Sequence, residues 1–253
     1  MSFDGQVAQN SDLNLSYHFD TVADTFYSVL QINKNKTDGT KQYPFVRYVG
    51  GDNLMSPKTL RQTEKWDIIT NCGWYSLEIE NSVVKRDYGR DPQDGICALT
   101  IDSNGDLGYV VNWETGDGES LVNSGIVSAT TAFFPLVVDY ELYDFQIPPE
   151  DQANLNWMHA PRQIIGQYGN GDYVIITCEG RGYQNSVGFE PSREAAICQD
   201  MGLKFAYNLD GGGSTQTMIG DKLLNSLYEG EEANGRPVPA FIVFNGTDTF
   251  SIP

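Results

Sequence analysis

The chain has 253 residues, enough for one large domain or two small ones. A domain of that size buries about 70–75% of its unfolded surface without staples. Its 34 acidic and 16 basic residues leave a net charge of −18, which repels phosphate polymers at long range and excludes a nucleic-acid polymer as partner. Any anionic ligand must be captured by a few local cations, and the charge otherwise serves solubility.

Cys72, Cys97, Cys178 and Cys198 form no CxxC pair, and the two histidines, His18 and His159, add no ligand cluster. Neither a metal nor another cofactor is therefore expected. Met1-Ser2-Phe3-Asp4-Gly5 lacks the basic region and apolar run of a signal peptide, and no 18-residue apolar stretch is present. Cytoplasmic synthesis, four reduced thiols and no membrane partner are the expectations.

In chain order, residues 1–60 are polar with turn clusters at Asn33–Gly39 and Gly50–Asn53. They read as a leading strand or two with loops. Trp66–Asn71 reads as a buried strand ending in Cys72-Gly73-Trp74-Tyr75, and Leu77–Val84 as a second strand. Ile96–Ile101 and Leu107–Val111 flank Asp102-Ser103-Asn104-Gly105-Asp106. Asn104-Gly105 suits a hairpin turn; the acidic spacing resembles a calcium loop, but its Gly is misplaced and Trp113 stands where that loop needs Glu. Leu136–Val138 precedes a polar loop over Tyr140–Asn156.

Later come strands at Gln163–Gly166 and Tyr173–Thr177, then a loop from Gly180 to Gly188. Pro191-Ser192-Arg193-Glu194 opens a helix with Ala195, Cys198 and Met201 on one face, stopped by Gly202. Phe205–Leu209 and Thr215–Ile219 read as strands around a glycine turn, with a closing hairpin at Asn245-Gly246. Many strands and one or two helices predict an α+β fold: a single domain with mixed, mostly antiparallel sheet and few helices.

The turn itself, Asn208-Leu209-Asp210-Gly211-Gly212-Gly213-Ser214, places three glycines at a strand end. Such a run permits close approach of backbone to ligand and can present N–H groups to an anion. It is equally compatible with a tight turn, in which Asp210 caps its own backbone. It lacks the Lys and helix of a P-loop and does not match G-x-G-x-x-G.

This heptapeptide resembles the signature of the phosphodiester glycosidase family. Asn71-Cys72-Gly73-Trp74-Tyr75 is similar to that family's Asn-Gly-Gly-Phe-Phe element, with Cys72 replacing a Gly. His159-Ala160-Pro161-Arg162-Gln163-Ile164-Ile165-Gly166 resembles its Pro-Arg-Thr-Ala-Ile-Gly element. Glu179-Gly180-Arg181 resembles its Asp-Gly-Arg, and Gly235-Arg236-Pro237-Val238 its Glu-Arg-Pro-Val. The matches keep the family order after about residue 60. They imply a division into residues 1–60, strands and loops packed on the core, and 61–253, the glycosidase-like domain.

The implied reaction is hydrolysis of a sugar–phosphate–R diester at the anomeric C–O bond, on a small-molecule or glycan substrate. Asp210 would be the carboxylate facing the anomeric carbon, with Glu179 as a second carboxyl and His159 as acid or base. Asn208 would bind sugar hydroxyls, and Gly211, Gly212, Gly213, Ser214, Asn71 and Gly73 would line the substrate. Arg162, Arg181 and Arg236 would clamp phosphate through guanidinium forks.

Each has a plainer role. The arginines could be ion-pair partners, Glu179 a partner to one of them, His159 a satisfied loop residue. Trp74 and Tyr75 could stack on a sugar or pack in the core. Two other functions stay open: a non-catalytic sugar or wall-polymer binder in a phage particle, and a binder or hydrolase of a small phosphodiester signal. The setting implied is bacterial or phage-borne, with virion association as an alternative to the cytoplasm.

Overall fold

Runs that bury alternate or all side chains dominate the computed structural model, which describes residues 5–51, 53–73, 76–89, 96–145, 158–227 and 234–244. The first strands are β1 (Gly5–Gln9), β2 (Leu13–Asp20), β3 (Thr25–Ile32) and β4 (Phe45–Tyr48), followed by helix α1 (Pro57–Glu64). Next come β5 (Ile68–Asn71), β6 (Leu77–Glu80), β7 (Val83–Asp87), β8 (Ala98–Asp102) and β9 (Leu107–Val110). Helix α2 (Asp117–Asn123) leads to β10 (Ile126–Thr131), β11 (Phe134–Val138) and β12 (Glu141–Leu142). The last part holds β13 (Arg162–Gln167), β14 (Tyr173–Cys178), helix α3 (Pro191–Asp200) and β15 (Phe205–Asn208). It closes with β16 (Thr217–Ile219), β17 (Lys222–Leu223) and β18 (Ala240–Phe244).

The strands form three sheets in the orders β1-β2-β3-β14-β13-β15-β11-β12, β7-β6-β10-β8-β9 and β17-β16-β5-β18-β4. The fold is α+β and mostly antiparallel β, in one domain. β13 and β14 are buried at every position, one turn apart in an antiparallel hairpin. Their Ile164, Ile165, Ile175 and Ile176 join Leu30 and Ile32 of β3 and Ile242 of β18 in the main core. The early strands are thus part of the central sheet, because β3 pairs with β14 along its length.

Local chemistry explains where the sequence expectations shift. Leu77–Val84 is two strands, because Asn81 and Ser82 take left-handed φ of 49° and 59° and turn β6 into β7. Residues 57–64 form α1, capped by the Ser56 side chain accepting from the Thr59 amide, with Pro57 in the first turn. Its one fully buried aliphatic residue, Leu60, packs on Ile69, Met218 and Phe241. Asn104-Gly105 is a hairpin turn between β8 and β9: Gly105 has φ 78°, and Asp102 Oδ1 accepts the amides of Asn104 and Asp106, each at 2.8 Å. The Asn245-Gly246 hairpin and most of the 140–156 loop lie outside the described residues. Among the described residues, no helix is long and apolar enough to cross a membrane.

Candidate active site around the glycine turn

β13 and β15 run antiparallel with Ile164 opposite Asn208. At that end the chain leaves the sheet as Leu209, buried, and then Asp210. The Asp210 backbone is held on both sides by the end of β5. Its N–H donates to the Cys72 carbonyl at 2.6 Å, and its carbonyl accepts from Asn71 Nδ2, also at 2.6 Å. Asn71 Oδ1 in turn accepts the Gln216 amide at 2.9 Å. Asn71, only 1% exposed, therefore spends its amide fixing the turn.

The glycines are required by proximity and by conformation. Gly212 has φ 59°, donates its N–H to the Pro161 carbonyl at 2.8 Å and opens a 3-10 turn through Ser214. A Cβ on Gly212 would stand 3.0 Å from Arg181 Nη2, and one on Gly211 2.9 Å from the Pro161 carbonyl. Gly213 is buried within the turn. Gly73 packs its bare Cα against the Thr131 carbonyl, leaving no room for any side chain. The Asn71–Gly73 and Asn208–Ser214 segments thus meet, although far apart in sequence.

Burial pushes the Asp210 carboxyl up to about 6, against opposing pulls from the Ser214 hydroxyl, the Gly211 amide at 2.9 Å, Arg236 and Arg162. A second carboxyl, Glu179, is 8% exposed and is raised by burial to about 7, although its Oε1 accepts the Ser226 amide at 2.8 Å. Ser226 follows Asn225, whose side chain bridges the Thr215 carbonyl at 2.8 Å and the Thr217 amide at 3.2 Å. Glu179 is in this way tied to the loop that follows the glycine turn.

The three arginines divide. Arg181 is exposed, takes φ 54° and lays its guanidinium against Gly212. Arg236 is exposed, its backbone fixed by two hydrogen bonds with the Gln216 side chain at 2.9 and 2.8 Å. Arg162 is 2% exposed and lies inside: its Nε is 3.0 Å from Glu194 Oε1 and also donates to the Phe189 carbonyl at 3.3 Å. Asn208 is likewise fully buried. Its neighbours orient the amide with nitrogen inward, donating to the Leu209 carbonyl at 3.1 Å and Glu194 Oε2 at 3.3 Å.

His159 stands apart, its Nε2 3.0 Å from Glu190 Oε1, in a cavity of about 280 Å³ lined also by Val22, Ser192 and Arg193. Trp74 and Tyr75 lie outside the described residues. Glu194 was missed by sequence reasoning, which took Pro191-Ser192-Arg193-Glu194 only as a helix start. Among the described residues no three His, Cys, Asp or Glu side chains gather as a metal site.

The chain is similar to known proteins at several levels. The SPbeta prophage-derived uncharacterized protein YomE of Bacillus subtilis (strain 168) is 27% identical over 238 residues, 88% of this chain. The chain spans 36% of that relative's length. Among solved structures, the catalytic domain of zebrafish N-acetylglucosamine-1-phosphodiester alpha-N-acetylglucosaminidase, auto-inhibited by its pro-peptide, superposes with a TM-score of 0.68 at 13% identity. That match covers 98% of this chain and 87% of the other. A hypothetical protein from Synechocystis gives 0.66 at 10% identity, covering 95% and 63%. The phosphodiester glycosidase family model matches residues 74–245, which takes in the glycine turn, both carboxyls and all three arginines. The chain belongs to the phosphodiester glycosidase family.

Proposed function

We propose that the protein hydrolyses a sugar-1-phosphodiester at the anomeric C–O bond, with the glycine turn as its catalytic centre. One observation carries this reading: Asp210, a carboxyl raised by burial to about 6, has exposed Arg181 packed against its turn at Gly212 and feels the charge of exposed Arg236, in a chain of net charge −18. Raised carboxyls beside cations are a mark of sites that handle charge in a transition state.

In this reading Arg181 and Arg236 hold the phosphate, and Asp210 faces the anomeric carbon. The departing phosphate needs little protonation, since its last pKa is about 6 by analogy with phosphoserine. The C–O bond breaks toward phosphate, which leaves as the monoester dianion, and Asp210 stabilises the positive charge on the sugar. Water supplies the new hydroxyl at the anomeric carbon and gives up one proton. In this reading Glu179, ionised above about 7, takes that proton. Gly211 and Gly212 give their N–H groups to Asp210 and the Pro161 carbonyl, so the glycines serve this reading by leaving substrate space open beside Arg181. The phage relative suggests a phage-borne setting, and virion association accompanies that proposal.

The test is incubation with a panel of sugar-1-phosphodiesters, following released sugar and phosphomonoester by mass spectrometry, for wild type and Asp210→Asn. Turnover by wild type alone, with binding retained in the variant, is expected. Binding of a member of the panel without turnover by either protein would replace the hydrolase with a sugar-binding role.

A further inference from the structure

Glu179 takes two hydrogen bonds from Ser226. The Ser226 amide donates to Oε1 at 2.8 Å, and the Ser226 hydroxyl bonds the same carboxyl. Gln184 Nε2 donates to Ser226 Oγ at 3.2 Å, which leaves the hydroxyl proton to Glu179. Ser226 belongs to the short run Leu224–Leu227, whose end residues are buried. Between them, the Asn225 side chain holds the backbone on both sides of Ser226. Its Nδ2 donates to the Thr215 carbonyl at 2.8 Å and to the Ser226 carbonyl at 3.1 Å, and its Oδ1 accepts the Thr217 amide at 3.2 Å.

Thr215 directly follows the glycine turn. Gln216, between the two threonines, gives its amide to Asn71 and bonds the Arg236 backbone through its side chain. The stretch from Thr215 to Thr217 is thus a common footing for the glycine turn, for Arg236 and, through Asn225, for Glu179.

We propose that Asn225 is the positioning residue for Glu179: it clamps Ser226 against the segment behind the glycine turn, so that amide and hydroxyl both meet the carboxyl. The inference rests on the reading of Glu179 as the group that takes the proton from water. A carboxylate away from water keeps its charge where donors already point at it. Burial raises Glu179 to about 7, and the two Ser226 bonds oppose burial. From β2 the carboxyl is faced by Tyr17, whose hydroxyl donates to the Leu224 carbonyl at 3.2 Å. That hydroxyl stays neutral, since burial and Glu179 both raise it. Arg181, two residues along the chain, lays its guanidinium against Gly212.

Hydrogen bonds to the ionised form lower the pKa of a carboxyl, and their loss raises it. In Asn225→Ala the buried leucines keep the run on the protein, while the peptides flanking Ser226 lose their clamp.

The test does not need turnover. The readout is the Glu179 midpoint in a ¹³C-carboxyl titration, assigned by its loss in Glu179→Gln. In Asn225→Ala the midpoint should rise by about one unit, a roughly tenfold change in ionisation constant. Ser226→Ala, which removes the hydroxyl and leaves the clamp, should raise it by less. On any sugar-1-phosphodiester that is cleaved, the acid limb of kcat/KM should move upward with the midpoint. A purely structural role for Asn225 would lower the melting temperature and leave midpoint and limb in place. An unmoved midpoint in folded Asn225→Ala would overturn the proposal. A lowered one would overturn it too, because Asn225 would then act by keeping water from Glu179. Should Asn225→Ala fail to fold, Ser226→Ala decides, and an unmoved midpoint there overturns it equally. Absence of turnover on every phosphodiester would remove the catalytic role of Glu179 and leave this titration to judge Asn225.

Discussion

The two ends of the β13–β15 pair make opposite uses of the same ingredients. At the Gln167–Phe205 end there is a cavity of about 390 Å³ lined by Lys34, Asp106, Tyr109, Gln167, Gly171 and Lys204, among others. Two of its charges, Lys34 and Asp106, are already matched to each other. Lys34 Nζ is 2.6 Å from Asp106, whose carboxyl is held below the ordinary range by that hydrogen bond. Gln167 gives its amide to Asp106 and the Gly171 carbonyl and takes the Leu107 N–H.

At the Arg162–Asn208 end the carboxyl of Asp210 moves the other way, and its turn is flanked by exposed Arg181 and Arg236. Cleft size alone therefore does not locate a site. A carboxyl displaced upward beside accessible cations does so better than a roomy groove whose polar groups satisfy one another.

The sharpest way to break this comparison is to neutralise one carboxylate at each end. Asp210→Asn should lower turnover of a cleaved sugar-1-phosphodiester by on the order of 10²–10⁴-fold. Asp106→Asn should leave turnover within about twofold and cost about 1 kcal/mol, since the Asp106 side chain is largely exposed although Lys34 is mostly covered. Equal losses in steady-state assays would remove the distinction between the ends.

A matched glycine pair sharpens it further. Gly212 and Gly171 both have positive φ, 59° and 96°, and a Cβ on either would meet a basic side chain at 3.0 Å, Arg181 or Lys34. Alanine at either should cost about 1 kcal/mol or somewhat more. Only Gly212→Ala should also reduce turnover per folded molecule, by on the order of a hundredfold, because it displaces Arg181 from the phosphate position. Melting temperature and turnover measured on both purified variants decide this.

The carboxyls also predict how pH acts. Asp210 is raised from 3.8 to about 6, and Glu179 from 4.5 to about 7. Folded protein thus holds protons that the unfolded chain has released, so these groups stabilise it fully below about pH 4 and lose that effect as pH rises through 6 to 7. Asp106, lowered by Lys34, contributes stability above its ordinary value and loses it in stronger acid. The melting temperature should accordingly be higher near pH 5 than at pH 8, and Glu179→Gln should flatten that slope. Thermal melts across pH 4–9 that show the same slope for both proteins would refute the assignment for Glu179.

The smallest expected effect concerns the thiols. Cys72, Cys97, Cys178 and Cys198 are buried and unpaired by disulfide. Titration of unfolded, unreduced protein should find four reactive groups, and two or none would contradict it.

Much of this was legible in the sequence where the signal is local. Pro191 and Gly202 bounded α3, and the glycine run marked the turn. The Asn81-Ser82 turn carried residues that favour turns, but without a Gly or Pro beside them it was read through as part of one strand. Helix α1 carried its Ser56-Pro57 start but only one buried aliphatic side chain, too few to show a period. Glu194 lies at the helix start, where a Glu ordinarily faces solvent. Its burial follows from Arg162 and Asn208 arriving on separate strands, which no local spacing reveals. For the same reason Arg162 could not be separated from Arg181 and Arg236 in advance: all three stand in family-like motifs, and only packing turns one of them inward.

The central claim is most directly tested by hydrolysis in ¹⁸O-labelled water, once a sugar-1-phosphodiester that turns over has been found. Attack at the anomeric carbon, as assigned to the Asp210 turn, predicts ¹⁸O in the released sugar, none in the phosphomonoester, and release of both slowed by on the order of 10²–10⁴-fold in Asp210→Asn. Label in the phosphomonoester, or undiminished release by Asp210→Asn, would contradict it.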